Sequence, residues 1–159
     1  MSAVLENTCC FIGHREINVT DELKEKLHMV IERLIIEESI DTFLFGSKSQ
    51  FDDLCYDIVT EIKKNYPHIK RIFVRAEYPH IDESYEAYLS ESYEATYFPK
   101  AVLGAGKASY VKRNCEMIDN SRFCIVYYNE DYNPKGRKSG TKIAFAYAER
   151  KKKSIIRFP

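Results

Sequence analysis

Residues 8–45 read TCCFIGHREINVTDELKEKLHMVIERLIIEESIDTFLF, and this stretch decides the fold. It opens with a short apolar run, Thr8 to Ile12, which Gly13 cuts off. Leu23, Leu27, Val30, Ile31 and Leu34 then recur at i, i+4, i+7, i+8 and i+11. That spacing lines one side of an α-helix and predicts a helix over 21–38. Thr20 is its natural N-cap, and Asp21 and Glu22 suit the positive end of the helix dipole. A second apolar run, TFLF at 42–45, follows and is closed by Gly46. Strand, amphipathic helix and strand in this order make one unit of a parallel sheet.

The rhythm continues outward. Ser49 caps the next helix with Asp52 three residues on, a capping-box spacing. Its apolar stripe is Phe51, Leu54, Cys55, Ile58, Val59 and Ile62, and Asn65-Tyr66-Pro67 ends it. RIFVRA at 71–76 is a third strand, RFCIVYY at 122–128 a fourth, and residues 154–158 a fifth. Helices are expected over 107–120, with Tyr110, Val111, Asn114, Met117 and Ile118 on one face, and from about 140 to 152. The expected fold is therefore α/β, Rossmann-like and three-layered. It has a mainly parallel five-stranded sheet in the order 3-2-1-4-5 and helices on both faces, in one domain over 1–159. Residues 78–100 break the pattern, with six aromatic rings among acidic residues. The stretch reads as a partly helical insertion that forms a lid or a subunit contact, the latter a candidate homodimer interface.

Composition narrows the function classes. Hydrophobic residues make up 45% and charged residues 30%, ordinary for a globular protein. No apolar run approaches the roughly 20 residues of a membrane span, and the N-terminus has no secretory pattern, so no membrane partner and a cytoplasmic location are expected. Lys+Arg and Asp+Glu both total 24, which argues against a dedicated nucleic-acid binder. Cys9, Cys10, Cys55, Cys115 and Cys124 have no CxxC spacing and read as reduced, small hydrophobes. Cys9 and Cys10 should point to opposite sides of their strand. His14, His28, His68 and His80 lack metal spacing, so neither metal nor cofactor is expected.

In an open parallel sheet, ligands sit beyond the carboxyl ends of the strands where strand order reverses. Gly13-His14-Arg15 follows the first strand. Gly13 permits a tight turn or a close approach, Arg15 can fork onto phosphate, and His14 can donate a hydrogen bond or transfer a proton. Solvated loop residues are the competing reading. Residues 129–141 follow the fourth strand, with Lys135, Arg137 and Lys138 beside Ser139, Gly140 and Thr141 at a helix start, a combination suited to anions. Gly46, Ser47 and Asp52 form a third candidate wall, where Asp52 either caps its helix or meets a ribose hydroxyl. Asn114 bonds a loop carbonyl or reaches the ligand, and Tyr128 or a tyrosine of 78–100 could stack a base. Gly104-Ala105-Gly106-Lys107 is not a phosphate loop, since Ala101 and Ala108 stand where glycine and a hydroxyl are needed. Arg150 to Lys153 read as a solvated face at a helix end.

CCFIGHR, FGS…FD, RxEYP, RN…MIDNS…CIVYY and SGT…AYA together resemble the SLOG superfamily, which joins the Smf/DprA and LOG proteins. The chain is similar to its small stand-alone bacterial members over nearly its whole length. The resemblance implies a Rossmann-like fold that binds a nucleotide or a nucleotide-derived, phosphate-bearing ligand. It carries the ligand-binding role to Gly13, His14, Arg15, Gly46, Ser47, Asp52, Asn114, Ser139, Gly140 and Thr141. Superfamily activities include nucleotide N-glycosidic hydrolysis and the loading of single-stranded DNA. The hydrolases carry PGGxGTxxE, and this chain has Ala144 at the glutamate position. A ligand-binding or sensor role is the expectation. A nucleotide N-glycosidase and a protein-interaction module are the alternatives.

Overall fold

The computed structural model describes residues 5–46, 48–76, 78–131 and 139–159. In chain order the elements are β1 (Thr8–Gly13), α1 (Asp21–Glu38), β2 (Thr42–Phe45), α2 (Gln50–Lys63), β3 (Lys70–Val74), α3 (Glu83–Ser92), β4 (Ala95–Tyr97), α4 (Ser109–Asp119), β5 (Phe123–Tyr127), α5 (Gly140–Arg150) and β6 (Ser154–Phe158). All five strand pairings are parallel, and the sheet order is β4-β3-β2-β1-β5-β6. The chain winds outward from β1 to β4, then returns to the other side of β1 to lay down β5 and β6. Strand order therefore reverses between β1 and β5.

Alternation along the strands builds two core layers. Cys9 and Phe11 face α1, α2 and α3 together with Phe43, Phe45 and Phe73. Cys10 and Ile12 face α4 and α5 together with Leu44, Val74 and Val126. The adjacent cysteines do point to opposite faces, and all five cysteines are free thiols. The helix starts follow their side chains: Thr20 Oγ1 accepts from the Leu23 amide, and Ser49 Oγ accepts from the Asp52 amide. Among the described residues no helix is long and apolar enough to cross a membrane.

Two expectations need correction. The sheet has six strands, and the sixth comes from 78–100, which is a regular crossover and edge strand instead of an insertion. Its helix, α3, is capped by Asp82, whose Oδ1 accepts from the Tyr85 amide at 2.8 Å, and buries Leu89. β4 spans three residues with little apolar content, so no period-2 signal marks it. Tertiary contacts hold it instead. Glu94 accepts from Arg71 Nε at 2.9 Å and from Arg71 Nη2 at 2.7 Å. Tyr93 packs on Tyr56 and Phe73, with ring centroids 5.0 and 5.2 Å apart. The second correction concerns α4. Tyr110 is half exposed, and the buried face carries Arg113 with Met117 and Ile118.

Candidate functional site

The carboxyl ends of β1, β2 and β3 and the start of α5 enclose a cavity of about 980 Å³ next to the point where strand order reverses. Gly13 contributes backbone to its wall, but the space where its side chain would project belongs to Phe51. A Cβ there would lie 2.3–2.5 Å from the Phe51 Cβ, Cγ and one ring carbon. The close approach that Gly13 permits is thus to the first turn of α2, which lets a fully buried ring pack on the end of β1.

His14 is 2% exposed. Its Nε2 accepts from the Asn129 amide at 3.0 Å, and its ring meets Tyr127 edge-on. The loop after β1 is so tied to the loop after β5, across the reversal point. Burial lowers the His14 pKa, and an Nε2 that accepts a hydrogen bond carries no proton of its own, which is the neutral form of the ring. Arg15 is exposed and lines the cavity, and its carbonyl accepts from the Gln50 amide at 2.8 Å. No ion-pair partner holds its guanidinium among the described residues.

Behind β2, Gly46 is open so that Arg113 can cross the strand end. A Cβ on Gly46 would stand 2.7 Å from Arg113 Cδ and 2.8 Å from Met117 Sδ. Arg113 Nη1 donates to the Gly46 carbonyl, and its Nε donates to Asn114 Oδ1 at 3.3 Å. Asn114, which also lines the cavity, meets a side chain here and not a loop carbonyl. Asp52 Oδ2 accepts from the Gly46 amide at 3.0 Å. That carboxylate lies 3% exposed and is not among the lining groups, so it fixes the turn that lets Arg113 through. Ser47 lies outside the described residues, as do Glu77, Lys135, Arg137 and Lys138.

Ser139 caps α5, its Oγ accepting from the Lys142 amide at 3.0 Å. Ser139, Gly140 and Thr141 all line the cavity, and a Cβ on Gly140 would meet nothing within 4 Å. The Gly140 and Thr141 amides belong to the first turn, which has no intrahelical acceptor to offer them. Tyr128, by contrast, is 7% exposed and absent from the cavity wall. It packs against Phe145 in the core under α5, with Arg157 over its ring at 5.2 Å.

The chain matches no family model and no curated protein.

The electrostatics of the wall are lopsided. Arg15, Lys48, Arg75 and Arg113 line the cavity, and Asp82 is the one carboxylate among its described lining residues. Asp82 also accepts the hydrogen bond that caps α3. Arg113 is 4% exposed, so its charge acts in a poorly hydrated setting where Coulombic attraction is strong. Arg75 follows β3 directly. Its Nη1 donates to the Pro79 carbonyl at 3.3 Å, while its buried Nε has no hydrogen-bond partner among the described residues. A chain with no net charge has thus gathered four cations and a helix start around one concavity. Such an arrangement has the electrostatics suited to an anion. Among the described residues no cluster of metal-ligating side chains accompanies it.

Sequence reasoning missed three of these cations. The expected third strand runs to 76 and so hides Arg75 inside it, whereas β3 ends at Val74 and Arg75 is the first residue beyond. Arg113 stands four residues before Met117, on the buried stripe, where an unexplained arginine is itself a signal. Lys48 carries no signal beyond its place after β2.

Proposed function

We propose that this protein binds a phosphate-bearing, nucleotide-derived small molecule in the cavity at the carboxyl edge of the sheet. The observation that carries the reading is the cationic wall: Arg15, Lys48, Arg75 and Arg113 against Asp82, with the first turn of α5 facing the same space. Arginine forks match phosphate oxygens in geometry, and the Gly140 and Thr141 amides add donors at the positive end of a helix dipole. The volume of about 980 Å³ is enough for a ligand larger than inorganic phosphate. The sequence resemblance to the SLOG superfamily points the same way, and five free cysteines, four of them buried, suit a cytoplasmic setting.

Binding is favoured over hydrolysis. N-glycosidic cleavage needs a carboxylate near the reacting carbon to support an oxocarbenium-like state. Ala144, at the hydrolase glutamate position, is buried in the core under α5 and does not line the cavity. Asp52 is engaged with the Gly46 amide, and Asp82, the carboxylate among the described lining residues, accepts the hydrogen bond that caps α3.

A thermal-shift panel of ribose 5-phosphate, AMP, ADP, ADP-ribose and 3′,5′-cyclic AMP tests the reading. At least one should raise the melting temperature in a dose-dependent way, as ligands of the folded state must. Arg15→Ala should weaken that response without lowering the unliganded melting point, since its guanidinium supports nothing else among the described residues. A panel without any response from a folded protein would sink the proposal.

A further inference from the structure

Beside the main cavity lies a second hollow of about 350 Å³, lined by Tyr78, Pro79, Phe98, Val102, Ser109 and Tyr110 together with Gly104 and Gly106. Tyr78 and Tyr110 line both spaces, so the hollow is a side chamber that adjoins the cationic cavity across these two rings. Its chemistry is different. Aromatic and aliphatic groups dominate, and no charged side chain is among its described lining residues.

Three features suit it to a flat ring. Tyr78 and Tyr110 are 70% and 50% exposed, so much of their ring surface is not used by the core. The turn that forms the far wall bends through Gly104 at φ 73° and Gly106 at φ 58°, where other residues are strained. A Cβ on either glycine would meet nothing within 4 Å, so the turn leaves space in front of it. Arg75 stands at the junction, donating to the Pro79 carbonyl with its guanidinium 5.7 Å from the centre of the Phe98 ring. It can therefore reach a phosphate on one side while it holds the aromatic wall on the other.

We propose that this side chamber receives the heteroaromatic base of the ligand whose phosphate the main cavity holds. The inference rests on the phosphate-binding reading above and adds the base to it. The shared walls, Tyr78 and Tyr110, put the chamber within reach of a base carried on the same molecule as the phosphate. The volume, at the low end of the roughly 300–1,000 Å³ of small-molecule sites, suits a ring system better than a peptide. Stacking on aromatic side chains is tolerant of base identity, so the chamber selects nucleotides over sugar phosphates more than one base over another.

Calorimetric titration with AMP and with ribose 5-phosphate, which differ by the base alone, tests it on the full chain. AMP should bind about ten- to a hundredfold more tightly, the range of one stacked base. Ser109→Phe, which fills the chamber, and Phe98→Ala, which removes its wall, should reduce that advantage to about twofold or less. Ribose 5-phosphate binding in each variant reports that the variant is folded. Equal affinities in the unaltered protein, or an advantage that survives both substitutions, would overturn the base chamber and leave the phosphate site standing. If neither compound binds, the base chamber is overturned, and the phosphate reading is decided by the five-compound panel above.

Discussion

Replacing Gly13 with alanine tests whether this glycine serves the ligand or the fold. Gly13 is not at positive φ, so its backbone accepts an L residue without strain. The obstacle is Phe51. The new methyl would sit 2.3–2.5 Å from three Phe51 carbons, against about 3.5–4.0 Å for ordinary carbon contact. One of the three is the Phe51 Cβ, which no side-chain rotation moves. Relief of more than 1 Å must come from shifting the first turn of α2 away from β1, in a part of the core that is fully buried. Overpacking of this kind costs about 1–3 kcal/mol, and a clash with a fixed atom belongs at the upper end. A loss of about 3 kcal/mol corresponds to a melting temperature lower by roughly 6–12 °C for a chain of this size. A double-mutant cycle in urea isolates the cause. Phe51→Ala alone should cost about 3–5 kcal/mol, and about 1–3 kcal/mol less when Gly13 is already alanine, because the methyl occupies part of the vacated space. A Gly13→Ala protein within about 0.5 kcal/mol of the parent, with Phe51→Ala just as costly in both backgrounds, would refute the steric account.

Arg113→Lys keeps the charge but loses the fork that meets the Gly46 carbonyl and Asn114; it should weaken AMP binding at least tenfold by titration calorimetry, and unaltered affinity would remove Arg113 from the site. His14 is titrated more easily unfolded, near pH 6.5, than folded, since burial lowers its pKa. Its contribution is therefore fully present above about pH 6.5 and is lost as the pH falls from there toward the folded pKa, with a slope of at most about 1.4 kcal/mol per unit. Urea midpoints across pH 5–7.5 should show that fall in the parent and a flatter curve for His14→Gln. Burial alone would raise the Glu94 pKa, but the Arg71 hydrogen bonds outweigh it and hold the carboxyl below its ordinary value. Glu94→Gln should cost about 1 kcal/mol at neutral pH, reduced from a buried pair by the partial exposure of Glu94. The parent loses that advantage as the pH falls below about 4.3 and through the folded pKa; a cost unchanged at pH 3 would contradict the ion pair.

Long periodic segments were legible from the residues alone. The helix over 21–38 and the strand over 42–45 emerge with those bounds, because stripe, cap and breaker agree at each. The β4 edge was not legible, since a three-residue strand held by Arg71, Tyr56 and Phe73 draws its stability from partners distant in sequence. The site divides in the same way. Ser139, Gly140, Thr141 and Arg15 follow from the rule that ligands sit beyond strand ends, and they do face one cavity. Gly13, Asp52 and Tyr128 are at the right edge of the sheet, yet each has its exposed surface consumed by packing or a backbone partner. A strand-end position says where a residue lies, not which way its side chain turns.

The cationic cavity is tested most directly by nuclear magnetic resonance of the labelled protein during titration with ribose 5-phosphate. The Gly140 and Thr141 amide resonances and the Arg15 and Arg113 Nε–H signals should shift together along one saturable curve. Saturation that leaves these four signals in place, or moves only signals remote from the carboxyl edge of the sheet, would contradict the account.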